Sequence, residues 1–123
     1  MRVLATVATV VAAGLLVVAG AAAALGKDNF ALKGEVYPNS LFKIEMKNKA
    51  GKKLRTVRAG TYRIKIEDKA TVHNFRLRGP GLNRATKVPA RTETVWTVRL
   101  RKGTYTFLCD PHAGNMRGTF RLT

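Results

Sequence analysis

Cys109, His112 and Met116 fall within eight residues of the segment TYTFLCDPHAGNMRGTF (104–120), and Cys109 is the chain's single cysteine. The chain has two histidines, His112 and, far upstream, His73. A thiolate and two imidazoles in a trigonal set, with a weak axial thioether, are the donors of a type 1 copper site. Soft sulfur suits Cu(I) and imidazole tolerates Cu(II), so such a set supports one-electron exchange. Pro111 and Gly114 favour a loop over a helix between Cys109 and Met116, and a loop can fold its side chains around one point. Zinc would accept one Cys and two His, but the thioether adds nothing for zinc. A Cys109 nucleophile activated by His112 or His73 leaves Met116 unexplained, so the protein is not expected to be an enzyme.

His73 can join the other three only if the fold brings two distant segments together. Alternation of apolar and polar residues supplies the elements. In TYRIKIE (61–67) Tyr62, Ile64 and Ile66 share one face; Phe42, Ile44 and Met46 do so in LFKIEMK (41–47), and Trp96, Val98 and Leu100 in TVWTVRL (94–100). This is the period of two of half-buried strands. Gly51, Gly60, Gly79, Gly81 and Gly103, with Pro80 and Pro89, punctuate the runs. Strands are expected near 31–36, 41–47, 54–58, 61–67, 72–78, 93–100, 103–109 and 117–122, giving an all-β sandwich or barrel of seven or eight strands. The irregular segment 79–92 would be the long connection between sheets. His73 is in phase with Phe75 and Leu77, and Cys109 with Tyr105 and Phe107, so both point toward the core.

The chain opens with Arg2, an uncharged, mostly apolar run from Val3 to Leu25, and small residues before Lys27 and Asp28. That order reads as a secretory signal peptide over residues 1–26. The run also exceeds the roughly 20 residues needed to cross a bilayer, so an N-terminal membrane anchor is the alternative. Residues 27–123 then form one exported domain, periplasmic or at the cell surface. A lone cysteine excludes an intramolecular disulfide, and in an exported chain it should be buried or held by metal. The chain has 23 Lys and Arg against 7 Asp and Glu, a formal net charge of +16. The charge favours acidic partners or an anionic membrane surface. No stacking platform accompanies it, which argues against nucleic acid. The run from Lys43 to Arg58 reads first as a solvated face.

HNF at 73–75 and YTFLCDPHAGNMRGTF at 105–120 resemble the cupredoxins, the small blue copper proteins that include plastocyanin, pseudoazurin and amicyanin, over roughly residues 31–123. The resemblance implies a Greek-key β-sandwich and one type 1 copper ion per chain, bound by His73, Cys109 and His112 with Met116 axial. It implies that Asn74 ties the two ligand loops together beside the sulfur. His112 would be the partly exposed ligand through which electrons pass, with Pro111, Ala113 and Pro80 in the docking patch. Three residues separate His112 from Met116, where cupredoxins commonly have two or four, and a backbone carbonyl near Val72 is the alternative axial donor. The implied function is single-electron transfer by a monomer to a redox protein with an acidic docking surface. Copper delivery to an oxidase or other acceptor is the alternative.

Overall fold

The longest alternating runs become the longest strands, β4 (Gly60–Asp68) and β7 (Thr92–Leu100), and they pair antiparallel from Gly60↔Leu100 to Asp68↔Thr92. The computed structural model describes residues 26–123. The expected signal or anchor at 1–26 therefore lies, apart from Gly26, outside the described residues. β1 (Leu32–Val36) joins β4 in parallel, and β2 (Ile44–Asn48) joins β1 antiparallel, giving a sheet ordered β2-β1-β4-β7. The second sheet runs β3-β9-β8-β5-β6, from β3 (Thr56–Val57), β5 (Arg76–Gly79), β6 (Leu82–Ala85), β8 (Gly103–Leu108) and β9 (Arg117–Leu122). The only helical element among the described residues is a 3-10 turn, Asp110–His112.

The fold is all-β, in two mixed sheets around a core that includes Ile64, Ile66, Trp96, Phe75, Leu77, Phe107 and Phe120. Inward positions of the alternating strands supply that core, as period two requires. Among the described residues, both sheets and the core cluster come from residues 32–122, so residues 26–123 hold both sheets and the core between them. Gly34 faces inward on β1, and a Cβ there would stand 2.6 Å from the ring of Phe75. The missing side chain lets Phe75 lie against the first sheet, two residues beyond His73.

The outward face of the first sheet carries the acidic residues Glu35, Glu45 and Glu67. Glu35 accepts from Lys69 at 2.8 Å and Lys47 at 3.2 Å, with Lys33 at 3.5 Å. Lys33 also meets Glu67 at 2.9 Å, and Lys43 meets Glu45 at 2.8 Å.

The strand count departs from seven or eight: nine strands are present among the described residues, because Leu82–Ala85 inside the expected irregular segment forms β6. It pairs with β5 across a tight turn at Pro80 and Gly81, whose φ of 70° suits a residue without a Cβ. LNRA has no apolar alternation to signal a strand, as fits an edge position. The connection between sheets is the shorter 86–91. β5 also begins three residues after His73, since Asn74 and Thr86 side chains take hydrogen bonds there that a strand ladder would otherwise make. Likewise β2 starts at Ile44, so Phe42 leaves the expected inward face and stands 55 % exposed.

The pairings fix two ends. Connections 37–43, 69–75, 86–91 and 109–116 gather at one; 49–55, 58–59, 80–81 and 101–102 gather at the other, where the chain enters β1.

Candidate metal centre

His73 sits on the 69–75 connection, Cys109 just past β8, and His112 closes the 3-10 turn. β5 and β8 are neighbours in one sheet, with Arg76 opposite Leu108, so the residues just outside these strands, His73 and Cys109, meet at the same end. His73 and Cys109 are fully buried and His112 is half-buried. His73 Nδ1 lies 3.0 Å from His112 Nδ1, and Cys109 Sγ lies 3.8 Å and 3.5 Å from the two nitrogens. A triangle with those sides has its centre about 2 Å from every corner, close to metal–imidazole and metal–thiolate bond lengths of about 2.0 to 2.3 Å. Two imidazole nitrogens and a sulfur turned toward one another, with no acid among them, fit one type 1 copper ion.

The local sequence explains the loop. Pro111 sits in the first turn of the 3-10 segment, where its missing N–H costs nothing. His112 N donates to Cys109 O at 3.1 Å, Met116 N to His112 O at 2.8 Å, and Cys109 N to Met116 O at 3.0 Å. These bonds close the loop at its base, and Met116 is buried there at 1 % exposure.

Asn74 bridges the two ligand-bearing segments. Its Oδ1 accepts from Asp110 N at 2.7 Å, while its Nδ2 donates to Asp110 Oδ2 at 2.8 Å and to Thr86 O at 3.1 Å. Arg76 clamps the same carboxylate through Nε and Nη2, at 2.7 and 3.0 Å. Its guanidinium holds the Asp110 carboxyl below the usual range, with Asn74 assisting. Burial pushes the Cys109 thiol up, and peptide hydrogen bonds from Asn74 and His112 offset only part of this. The thiol therefore keeps its proton at neutral pH until a cation displaces it.

Three residues at the centre escaped the sequence reading. Phe42 packs edge-on over both imidazoles, with centroids 5.3 Å from His73 and 5.0 Å from His112. Its one sequence signal was its phase with Ile44 and Met46, which pointed inward instead. Arg76 and Asp110 are separated by 34 positions, and no local pattern links them. Of the patch residues, Pro111 and Ala113 lie on the metal-site loop, whereas Pro80 lies at the far end of the sandwich, because β5 runs away from His73.

Asp68 lies behind the site, at the end of β4. Its Oδ1 accepts from Ala70 N at 3.0 Å, and Oδ2 has no partner among the described residues. Burial raises the carboxyl from 3.8 to about 6, against smaller opposing contributions from Ala70 N–H and the Thr86 hydroxyl. The native carboxyl thus binds its proton more tightly than the unfolded one, so stability falls as pH rises from about 4 to about 6. At about 1.4 kcal/mol per pH unit, Asp68→Asn should stabilise the protein at pH 7 by up to about 3 kcal/mol. The gain should vanish below pH 4, as urea midpoints at both pH values would show.

The plastocyanin/azurin family of copper-binding proteins matches residues 43–123. None of the curated proteins matches the chain. Among solved structures, a dithionite-reduced auracyanin from the photosynthetic bacterium Roseiflexus castenholzii is similar at 18 % identity and a TM-score of 0.51, over 74 % of this chain and 94 % of that one. Auracyanin A from Chloroflexus aurantiacus, a blue copper protein, aligns at 17 % identity and a TM-score of 0.46, over 74 % and 96 %. With the family match spanning most of the described sandwich and all of its converging donors, the chain belongs to the plastocyanin/azurin family of copper-binding proteins.

Proposed function

We propose that this protein carries single electrons between redox partners, with copper that His73, Cys109 and His112 would hold and Met116 as the fourth candidate ligand. The observation that carries the reading is the convergence of Nδ1, Nδ1 and Sγ on one point at the end of a two-sheet core. Bound copper would supply the chemistry by alternating between Cu(I) and Cu(II). The protein's part is to keep the donors still. Asn74 ties the His73 segment to the Cys109 loop, Arg76 fixes Asp110, and the Cys109–Met116 backbone bond shuts the loop. A site that moves little between two charge states exchanges electrons with a small reorganisation. Such exchange makes and breaks no substrate bond, and we read the protein as a carrier and not as an enzyme.

His112, half-buried, is the least enclosed corner of the triangle and offers the route to a partner. Leu41, Phe42 and Val72 are exposed on the connections around it, an apolar surface suited to a brief encounter. The net charge of +16 favours a redox protein with acidic docking surface, met by a monomer. We place the domain outside the cytoplasm on the leader-like residues 1–26, with residues 27–123 as the copper domain. Among the described residues no helix is long and apolar enough to cross a membrane.

The exposure of His112 also favours the second reading, copper delivery, since a half-open corner lets metal exchange. Titrating apo residues 26–123 with Cu(II) should give one equivalent of binding and an intense blue absorption. Cyclic voltammetry should then show a reversible one-electron couple. Binding without the colour, or loss of copper to a competing chelator on reduction, would favour delivery over carriage.

A further inference from the structure

The sandwich is polarised along its strands. Leu41, Phe42, Val72 and Val88, the exposed large hydrophobic residues among those described, all lie on connections at the metal-centre end. The opposite end carries exposed Lys49, Lys52, Lys53, Arg58, Arg101 and Lys102 on its turns. The described side-chain carboxylate beside them is Asp28, opposite Lys65 at 3.4 Å. The glutamates that neutralise lysines elsewhere are arrayed on the face of the first sheet instead.

The chain also enters the domain at this cationic end. Ala31 N donates to Arg63 O, and Arg63 Nε reaches back to Asn29 O at 2.6 Å, which pins residues 26–31 beside the start of β4. The uncharged run Val3–Leu25 immediately precedes them in sequence. Exposed Lys87, Arg91 and Arg117 give the metal-centre end cations as well, but a denser cationic set beside the exit of an apolar run matches a lipid surface better than an acidic protein. A protein partner would gain nothing from that adjacency.

We propose that the end formed by the 49–55, 58–59, 80–81 and 101–102 turns rests on an anionic phospholipid surface, so that the metal centre faces away from the bilayer. Nine-residue strands at about 3.3 Å per residue put roughly 30 Å between the two ends. Separation by nearly four Debye lengths, each about 8 Å at physiological salt, makes the two surfaces electrostatically independent. The lipid-facing charges hold the domain without steering the redox partner, which approaches from the aqueous side. The arrangement does not depend on copper, and apo protein carries the same charges.

The test uses residues 26–123, so that the apolar run contributes nothing, with phosphatidylcholine vesicles with or without phosphatidylglycerol. Co-sedimentation should occur only with the anionic vesicles and should weaken as salt is raised. A variant with Lys49, Lys52, Arg101 and Lys102 changed to Gln should lose affinity on the order of a hundredfold or more, as each basic residue near such a surface contributes about 1 kcal/mol. A control with Arg78, Lys87, Arg91 and Arg117 changed to Gln removes the same charge elsewhere and should bind nearly as well as the parent. Circular dichroism checks that both variants fold. Equal losses in the two variants would show diffuse attraction by net charge and overturn the proposal. So would failure to bind anionic vesicles, including the case where the first variant instead reacts more slowly with an acidic redox protein.

Discussion

Cys109→Ala should bind Cu(II) far more weakly than the parent and show none of its intense blue absorption. The absorption requires a thiolate bonded to copper, and the chain has no other cysteine to supply one. The two imidazoles remain 3.0 Å apart, so residual binding would persist as a pale, ordinary Cu(II) complex. The fold should tolerate the change. Burial keeps the thiol protonated in the absence of metal, where it packs as a small apolar group. Its removal therefore costs about 1 kcal/mol, the scale of deleting one buried methyl-sized group. Titration by visible spectroscopy beside thermal melts of the apo forms separates the two effects. A variant that kept the blue band would show that Cys109 is not a ligand.

The second large effect concerns stability. Glu35→Gln should lower the stability at pH 7 by about 3 kcal/mol, which for a domain of this size shifts the melting temperature by roughly 12–24 °C. Burial opposes ionisation of Glu35, but hydrogen bonds from Lys69 and Lys47 and the charge of Lys33 outweigh it, holding the carboxyl at about 2 against an ordinary 4.5. Because the folded value is depressed, the stabilisation is full above about pH 5 and is lost as pH falls toward 2. At about 1.4 kcal/mol per pH unit that amounts to about 3 kcal/mol. Parent and variant should thus differ most near neutrality and converge near pH 2. Parallel curves across that range would refute the account.

Much of the centre was legible in the sequence because strand phase is a local property. His73 shares its phase with Phe75 and Leu77, and all three are fully buried. That inference survived even though β5 starts only at Arg76 and the intervening Asn74 is buried as well. Trp96, Val98 and Leu100 are buried as their alternation implied. What stayed hidden depends on contacts between distant segments. β6 exists because the tight turn lays LNRA back along β5, not because LNRA prefers to be extended. Phe42 turns from core residue to cover for two imidazoles because β2 begins two residues later than its alternation suggests. The Arg76–Asp110 clamp joins charges that look like ordinary surface residues until β5 and β8 are neighbours.

The backbone bond from Cys109 N to Met116 O, in continuity with the β8–β9 ladder, gives residues 110–115 the status of a module. Its two attachment points belong to a hairpin whose strands pair from Gly103↔Leu122 to Leu108↔Arg117, and they stay fixed whatever lies between them. Residues can be added or removed between His112 and Met116 without disturbing either sheet, because the change is absorbed before the ladder begins. The three residues found there are one tooling of an interchangeable part. The sandwich sets where the part is mounted, and the part's length sets how far its sulfur can reach.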